Sequence, residues 1–233
     1  MPDALMLFAA GFGNRMLPLT ADLPKPMVQV AGKPLIDHAL ALVDAMPLAR
    51  KAVNLHYLPG PIIRHLQSRD DLVMLTESPD ILETGGGLRN ALPVLGAGPV
   101  FTLNTDAVWS GPNPLQVLAD QWAADRMDVL VLLVPAARAL GHSGTGDFAL
   151  DAQGRISRAP GAVRDWIYVG TQIIRTDGLG AVPDRAFSLN LMWDRMIATG
   201  RAYGVTYPGQ WCDVGSPEGI AVAEAMLKAA AHV

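Results

Sequence analysis

The sequence predicts an α/β protein of Rossmann-like layout, in which helices flank a mostly parallel, mixed β-sheet and a small β-hairpin lies beside it. Two observations predict this class. Short apolar runs of strand length alternate with segments of helical periodicity, which is typical of βαβ units. The first run, Ala4–Ala10, is apolar throughout, as expected for a strand buried on both faces of a parallel sheet. The 233 residues, 50% of them hydrophobic, suffice for a full core.

The remaining elements follow from apolar periodicity and from turn and cap residues. Further strands are expected at Ala52–Leu55, Leu72–Thr76, Val100–Asn104, Asp128–Val134, Tyr168–Ile174, Ala202–Thr206 and Trp211–Val214. Helices are expected at Leu35–Met46, Pro61–Gln67, Gly85–Leu92, Pro114 to about Asp125, Leu189–Thr199 and Pro217 to about Ala230. Pro34 suits a first helical turn, and Thr84, Asn113 and Ser216 are candidate helix caps. A turn at Asp151–Gly154 predicts a hairpin between Phe148–Leu150 and Arg155–Ser157.

Composition narrows the class of partner. Eighteen Lys and Arg against 22 Asp and Glu give a net charge of −4, and no Lys/Arg run is present, which argues against nucleic acid. No apolar run approaches the roughly 18–20 residues of a membrane span, and no basic residue precedes Arg15 as a signal peptide would require. The lone Cys212 excludes an internal disulfide. We therefore expect a cytoplasmic protein that binds neither nucleic acid nor membrane.

A glycine-rich loop after the first strand is the strongest functional signal. Gly11 and Gly13 let the backbone approach a ligand closely, and Arg15 and Lys25 place two cations around the same loop. A dinucleotide-binding fingerprint fails because Met16 stands at its third glycine, and a P-loop fails because no Gly-Lys-Ser/Thr follows. The glycine pattern alone also fits a surface turn with two solvated cations.

Residues 7–34, LFAAGFGNRMLPLTADLPKPMVQVAGKP, resemble the signature of sugar-1-phosphate nucleotidyltransferases, and the resemblance extends over nearly the whole chain. It implies the nucleotide-diphospho-sugar transferase fold in one domain, 1–233, with nucleotide binding in about 1–135 and sugar binding in about 136–233. It also implies transfer of a nucleotidyl group from a nucleoside triphosphate to a sugar 1-phosphate, with release of pyrophosphate. No β-helical or acyltransferase extension follows, so we expect a single activity. The family residues that match Arg15 and Lys25 contact phosphates, and the implied nucleotide-binding set includes Ala10, Gly11, Gly13 and Asn104.

A second glycine-rich segment follows Leu82. Three consecutive glycines, residues 85–87, are energetically costly to fold at a helix start. Two explanations are open: the backbone lies against a flat nucleotide base, or the segment is a flexible loop. The resemblance implies base recognition by Thr84, Gly85 and Gly86. The Glu-Thr-Gly-Gly-Gly form looks most like the N-acetylmuramate-1-phosphate uridylyltransferase branch, which favours UTP and N-acetylmuramate 1-phosphate.

Other interpretations stay open at this stage. GTP with mannose 1-phosphate, or another base and sugar, is a rival of the same class. Glu83 either accepts hydrogen bonds from guanine or caps the following helix. A non-catalytic subunit that senses nucleotide sugars is the rival of a different class, and a monomer and a homodimer are equally compatible with the sequence.

Two aspartates at strand ends are the candidate metal ligands. Asp106 and Asp213 stand 107 positions apart, so they share a site only if the fold brings them together. Taken alone, each is an ordinary cap or turn residue. Both match metal-binding positions of the family, which implies Mg²⁺, a cation that prefers one or two carboxylates plus phosphates and water. The family often has glycine where Thr105 stands.

The sugar-binding segments are implied by the resemblance alone. Their candidate residues are Gly146, Asp147, Gly170 and Thr171. Many relatives carry Glu-Lys-Pro after the hairpin, with the lysine near the sugar phosphate, whereas this chain has Arg158-Ala159-Pro160. Arg158 is a candidate substitute for that charge. The five histidines show no metal-ligand spacing, and the five tryptophans are too scattered to form a stacking platform.

Overall fold

The computed structural model describes residues 1–158 and 161–231, and the elements below belong to this part of the chain. The strands are β1 (Ala4–Phe8), β2 (Gln29–Val30), β3 (Lys33–Pro34), β4 (Arg50–Leu55), β5 (Val73–Thr76), β6 (Pro99–Asn104), β7 (Ala107–Ser110), β8 (Val129–Pro135), β9 (Ala149–Leu150), β10 (Ile156–Ser157), β11 (Trp166–Arg175), β12 (Ala202–Thr206) and β13 (Gln210–Asp213). The helices are α1 (Leu35–Asp44), α2 (Pro59–Leu66), α3 (Glu83–Leu95), α4 (Pro114–Gln121), α5 (Asn190–Ala198) and α6 (Pro217–Ala230).

A seven-stranded sheet in the order β12-β8-β11-β6-β1-β4-β5 forms the centre. Neighbouring strands are parallel except around β11, which runs antiparallel to both β6 and β8. This confirms the predicted mostly parallel, mixed sheet. Strand β8 lies between β12 and β11, and β11 pairs with β6, so the nucleotide-binding and sugar-binding parts expected from the sequence share one sheet.

Alternate residues of the strands face opposite helical layers. In β1, Leu5 and Leu7 pack in the core that contains α1, α2 and α4, whereas Ala4 and Met6 pack in the core that contains α3 and α5. All four side chains are fully buried. The continuous apolar run at the start of the chain is thus explained by a strand covered on both faces.

The parallel strands β4, β1 and β6 end at the same edge of the sheet and position the candidate site there. The glycine-rich loop leaves β1 at this edge, Asn54 is the second-last residue of β4, and Asn104 ends β6. A separate two-stranded sheet pairs β7 with β13 beside it. The hairpin β9–β10 forms as predicted and reaches the main sheet through a bridge between Arg155 and Tyr203.

Several predicted boundaries were wrong. The strand predicted at Trp211–Val214 lies one residue earlier, at Gln210–Asp213, and pairs outside the main sheet with β7, a strand that the sequence analysis missed together with the β2–β3 ribbon. Helix α4 ends at Gln121 rather than near Asp125, and α2 begins two residues early, at Pro59. Asn113 caps α4 by accepting from the Leu115 N–H, but Ser216 makes no such bond at α6.

Helix α3 also begins earlier than predicted, at Glu83, and Thr84 does not cap it. The Thr84 hydroxyl instead accepts a hydrogen bond of 2.9 Å from the Leu189 N–H. Instead of capping its own helix, Thr84 therefore links α3 by a hydrogen bond to the segment that precedes α5.

Within residues 1–158 and 161–231, no helix combines the length and apolar character needed to cross a membrane. Ala159 and Pro160, which follow Arg158 in the segment compared with the family's Glu-Lys-Pro, and His232, one of the five histidines without metal-ligand spacing, lie outside the described residues.

Candidate active site

A cavity of about 230 Å³, here called the base cavity, opens at the carboxyl ends of β1 and β6. Its lining residues are Phe8, Ala9, Ala10, Gly11, Lys25, Pro26, Asn54, Ile81, Glu83, Thr84, Asn104, Thr105 and Asp106. The structure thus brings together six predicted site residues, from Ala10 to Asp106, that are spread over nearly 100 positions of sequence.

The glycine-rich loop holds its two cations through short helical turns. Arg15 lies in the turn Asn14–Met16, and Lys25 opens the turn Lys25–Met27. Gly13 has φ +67° and accepts a 2.9 Å hydrogen bond from the Thr20 hydroxyl, and a Cβ there would meet the Lys25 Cβ at 3.0 Å. Gly13 therefore lets the loop fold back onto Lys25, whereas Gly11 lies in open space on the cavity wall.

Lys25 and Asp106 form an ion pair at the mouth of the base cavity. The Lys25 Nζ donates to Asp106 Oδ2 at 2.9 Å, and the lysine side chain is only 12% exposed. A half-buried cation of this kind interacts strongly with anions, because little water screens it.

The two candidate metal ligands converge through the pairing of β7 with β13. Asp213 is the register partner of Ala107, and the Val214 N–H donates to the Asp106 carbonyl at 2.9 Å. The two aspartates therefore stand on neighbouring strand ends, although 107 positions separate them in sequence.

The surroundings of Asp213 are electrostatically unusual. Burial raises the pKa of its carboxyl, and the negative charge of Asp106 raises it further, while Lys25, Arg15 and a hydrogen bond with His142 act in the opposite direction. The His142 Nδ1 lies 3.5 Å from Asp213 Oδ2. Asp213 is only 8% exposed and is repelled by a second carboxylate. A bound divalent cation would offset this repulsion.

Arg15 lies close to Asp213 on the other side of Gly215. A Cβ on Gly215 would lie 3.0 Å from Arg15 Nη2 and 2.9 Å from Asp213 Oδ2. The guanidinium and the carboxylate therefore flank Gly215, whose missing side chain leaves them room. Arg15, Lys25, Asp106 and Asp213 form one charged cluster.

The donor set fits a magnesium ion whose coordination is completed by substrate. Among the described residues, no group of three or more His, Cys, Asp or Glu side chains is arranged to hold a metal ion. Two carboxylates beside a cavity that can accept phosphates are what Mg²⁺ typically uses, whereas a site made of protein ligands alone would need more donors.

Buried polar side chains brace the base cavity from behind. The Asn54 Oδ1 accepts from the Ala9 N–H at 3.0 Å, and its Nδ2 donates to Glu77 at 2.8 Å. Glu77, 3% exposed, also accepts from the Leu82 N–H at 2.7 Å. Sequence analysis missed this network, although an asparagine and a glutamate at the ends of two apolar strands were the available signal.

Thr105, where the family often has glycine, has a structural explanation. Its hydroxyl donates to the Phe8 carbonyl at 2.8 Å, and its side chain is 3% exposed. The extra bulk is accommodated by a hydrogen bond that fastens β1 to the loop leading into β7.

The three glycines of α3 are packed against protein. A Cβ on Gly85 would lie 2.4 Å from the Phe187 ring, one on Gly86 2.6 Å from the Arg185 carbonyl, and one on Gly87 2.8 Å from Glu77. The Gly85 and Gly86 N–H groups both donate to the Phe187 carbonyl. Close chain packing accounts for the three glycines in the folded protein, and base recognition by Gly85 and Gly86 stays a prediction.

The residues that precede the glycines line the base cavity. Glu83 and Thr84 lie in its wall, and Glu83 adopts φ +61°. Such strain in a non-glycine residue is commonly held at functional sites.

A second cavity of about 160 Å³, here called the sugar cavity, adjoins the first and shares Phe8, Thr84 and Asn104 with it. Its other lining residues are Tyr168, Gln172, Ser188, Leu189, Asn190 and Trp193. The Trp193 Nε1 donates to Gln172 at 2.8 Å, and burial raises the pKa of Tyr168. Sequence analysis missed this set and assigned the tryptophans to core or rim.

The four predicted sugar-binding residues lie behind this cavity. Gly170, at φ +82°, lies against Asn104, which a Cβ would approach to 3.0 Å. Asp147 accepts from the Tyr168 N–H at 2.8 Å, and a Cβ on Gly146 would collide with the Arg164 carbonyl.

Thr171 is fully buried, and its hydroxyl donates to Thr102 within the sheet. Asp147 and Gly170 thus contact residues of the cavity wall, Tyr168 and Asn104, whereas Gly146 packs against Arg164 and Thr171 hydrogen-bonds within the sheet.

Cys212 is fully buried, and burial raises its pKa to about 11, so it offers no reactive thiolate beside Asp213 at neutral pH. The prediction that it serves packing agrees with this environment.

Comparisons with known proteins agree with this geometry. Residues 5–161 match the model of the MobA-like NTP transferase domain. The chain is 39% identical, over 97% of each chain, to N-acetylmuramate alpha-1-phosphate uridylyltransferase of Caulobacter vibrioides. It is 24% identical to probable mannose-1-phosphate guanylyltransferase 3 of Oryza sativa, where the match covers 91% of this chain but 61% of that protein. The crystal structure of HddC from Yersinia pseudotuberculosis complexed with GMP-PN superposes with a TM-score of 0.76 at 21% identity, covering 96% of this chain and 99% of that one.

Proposed function

Because the chain belongs to the family of MobA-like NTP transferase domains and resembles sugar-1-phosphate nucleotidyltransferases along its length, we propose that it transfers the uridylyl group of UTP to N-acetylmuramate 1-phosphate. The products are pyrophosphate and the UDP-sugar. The choice of base and sugar rests on the 39% identity to the Caulobacter enzyme.

One observation carries the proposal, namely two adjoining cavities with a charged cluster at the mouth of the first. Lys25 and Asp106 belong to the base cavity, and Asn104 stands between the two cavities. A nucleotide in the first cavity and a sugar phosphate in the second would meet beside Lys25. Most of the sugar cavity comes from residues after 135, which supports the proposed division at about residue 135.

The reaction we propose is in-line attack by a sugar-phosphate oxygen on the α-phosphorus of UTP. A phosphate monoester is already ionised at pH 7, its second pKa being about 6, so the attacking oxygen needs no general base. The chain's task is to align two polyanions that repel each other and to offset the charge of the departing pyrophosphate. Lys25 and Arg15 carry the positive charge for both tasks.

We propose that Asp106 and Asp213 hold Mg²⁺ against the substrate phosphates. When bound, this ion would neutralise phosphate charge and stabilise the leaving pyrophosphate. The raised pKa of Asp213 and its proximity to Asp106 support the assignment. The single buried cysteine suits the reducing cytoplasm, where we propose the reaction takes place.

Guanylyl transfer to mannose 1-phosphate is the second candidate, favoured by the guanylyltransferase relatives and by Glu83. The carboxylate of this exposed residue lies in the wall of the base cavity, where it could accept the paired donors that guanine presents and uracil lacks. The greater identity to the uridylyltransferase favours the first candidate.

Pyrophosphate release from a matrix of substrates tests the proposal. UTP, GTP and CTP are each paired with N-acetylmuramate, N-acetylglucosamine and mannose 1-phosphates, with Asp106→Asn as the inactive control. We expect the highest kcat/KM for UTP with N-acetylmuramate 1-phosphate. A maximum at GTP with mannose 1-phosphate would select the second candidate, and binding without turnover of any pair would identify a sensing subunit.

A further inference from the structure

The sugar cavity is polar but carries no charge of its own. Every one of its described lining residues, from Phe8 to Trp193, is neutral at pH 7. The charged cluster lies on the other side, around Lys25 and Asp106 in the base cavity. A sugar 1-phosphate that meets the nucleotide must direct its phosphate to that cluster, so its ring substituents extend into the neutral cavity. A carboxylate buried there would be costly unless a cation paired with it.

Arg158 supplies a cation at the wall of this cavity. It directly follows β10, and its guanidinium lies 4.6 Å from the centroid of the Phe148 ring and 5.2 Å from that of Trp193. Its Nη2 donates to Asn190 Oδ1 at 2.7 Å. Both Trp193 and Asn190 line the cavity, so the guanidinium contacts two of the side chains that form its wall.

The guanidinium is held in a fixed orientation, and its positive charge is only weakly offset by neighbouring residues. Two aromatic faces and Asn190 fix its plane, which lowers the entropic cost of binding an anion in a defined geometry. Among the described residues its ion-pair partner is Asp194 at 3.4 Å, whose side chain is 63% exposed, so water screens that pair. The arginine side chain itself is 24% exposed, and a guanidinium has five N–H donors.

We propose that Arg158 determines specificity by binding a carboxylate on the sugar, namely that of the lactyl ether in N-acetylmuramate 1-phosphate. This inference rests on the proposed function. It gives Arg158 a task that differs from that of the family lysine near the sugar phosphate, because the phosphate lies at the opposite end of the substrate.

Two substrates that differ only in the lactyl group test the inference. In Arg158→Gln, we expect kcat/KM for N-acetylmuramate 1-phosphate to fall about 10- to 100-fold, mainly through KM, the scale of one lost hydrogen bond to a charged group. The kcat/KM for N-acetylglucosamine 1-phosphate should stay within about twofold. Arg158→Lys should give an intermediate loss, since it keeps the charge but not the planar fork.

Arg155→Gln is the matched control. Arg155 belongs to the same hairpin but pairs with Asp151 at the surface, and its side chain is 50% exposed, so its variant should behave as wild type. Thermal stabilisation by UTP provides a second control in both variants, since it reports an intact base cavity without reference to the sugar.

The outcomes separate the inference from the proposed function. Suppose that the wild-type enzyme prefers the acidic sugar. Equal losses of kcat/KM with both sugars in Arg158→Gln, or no loss with either, would then overturn the role of Arg158. A wild-type enzyme that turns over only neutral sugar phosphates would overturn the proposed function, and the inference with it.

Discussion

Asp213 is a buried carboxylate beside a second carboxylate, and this arrangement makes it a source of instability in the free protein. Burial and the charge of Asp106 raise its pKa, so the folded chain binds the proton more tightly than the unfolded chain does. That contribution to stability is fully present below the unfolded pKa of about 4 and is lost as the pH rises through the raised folded pKa. At neutral pH the ionised group therefore costs stability.

Asp213→Asn should stabilise the metal-free protein at pH 7 by on the order of 1 kcal/mol, as substitutions that relieve strain at functional sites often do. Thermal melts in EDTA at pH 7.5 and pH 5 check this, and the gap between variant and wild type should narrow at the lower pH. Asp177→Asn, at a residue whose side chain is 75% exposed, is the control. An unchanged or lowered melting temperature for Asp213→Asn at pH 7.5 would contradict the electrostatic account.

The same aspartates should be indispensable for turnover. We expect Asp106→Asn and Asp213→Asn each to lower kcat by roughly 10²–10³-fold, the scale reported for the loss of one charge-stabilising group. Steady-state rates across a Mg²⁺ titration, with circular dichroism to verify folding, provide the measurement. Turnover near the wild-type level in both variants, with unchanged dependence on Mg²⁺, would remove the metal assignment.

Lys25 can be separated from base recognition by kinetics. Because its ammonium lies at the mouth of the base cavity and within 2.9 Å of Asp106, Lys25→Ala should lower kcat for every nucleotide while the preference among bases persists. The ratio of kcat/KM for UTP to that for GTP measures the preference. Unchanged kcat at saturation would argue against a role for Lys25 on the phosphates.

At the scale of elements, the two glycine-rich segments serve different purposes. The segment after β1 leaves open space at Gly11, whereas the start of α3 lies in close contact with the chain around Phe187. We expect a glycine beside open space to serve ligand binding, and a glycine in close contact with protein to serve folding.

Paired substitutions distinguish the two purposes. Gly85→Ala should destabilise the protein by about 1–3 kcal/mol, the usual cost of overpacking, because its Cβ would lie 2.4 Å from the Phe187 ring. Gly11→Ala should leave stability within about 0.5 kcal/mol of wild type but raise KM for UTP. Urea unfolding and initial rates measure the two effects, and similar stability losses in both variants would contradict this division.

At the scale of the whole molecule, we expect the two cavities to hold the two halves of the product. They share Phe8, Thr84 and Asn104, so a nucleotide sugar can occupy both at once. With Mg²⁺ present, UDP-N-acetylmuramate should raise the melting temperature several degrees more than UDP at the same concentration, because only the former fills the sugar cavity. Equal shifts for the two ligands would indicate that the second cavity is not the sugar subsite.

The sequence predicts those parts of the structure that depend on residues close together in the chain better than those that depend on distant residues. Strand β1, helix α1 and the hairpin follow from local patterns, since burial on both faces, helical periodicity and turn residues act over a few positions. The missed strand β7 has only four residues and acquires its partner, β13, about 100 positions later. Thr84 was assigned to a local cap because its partner, Leu189, is remote in sequence.

Within the site, the sequence analysis identified cavity residues that belong to contiguous motifs. It missed cavity residues whose position depends on tertiary packing. Gly11, Lys25 and Asp106 line the base cavity as the motifs suggested, whereas Gln172 and Trp193 became visible only when β11 and α5 met. A tryptophan buried to 93% looks like an ordinary core residue in sequence, although part of it lines a cavity.

The sequence by itself determined the α/β class, the glycine-rich loop with its two cations, and the family, because these depend on contiguous residues. Only the tertiary structure decided which carboxylates share a site, why the three glycines are required, and which cation contacts the wall of the sugar cavity. The physical reason is that strand pairing and close packing join residues far apart in the chain, and no local pattern encodes such a partner.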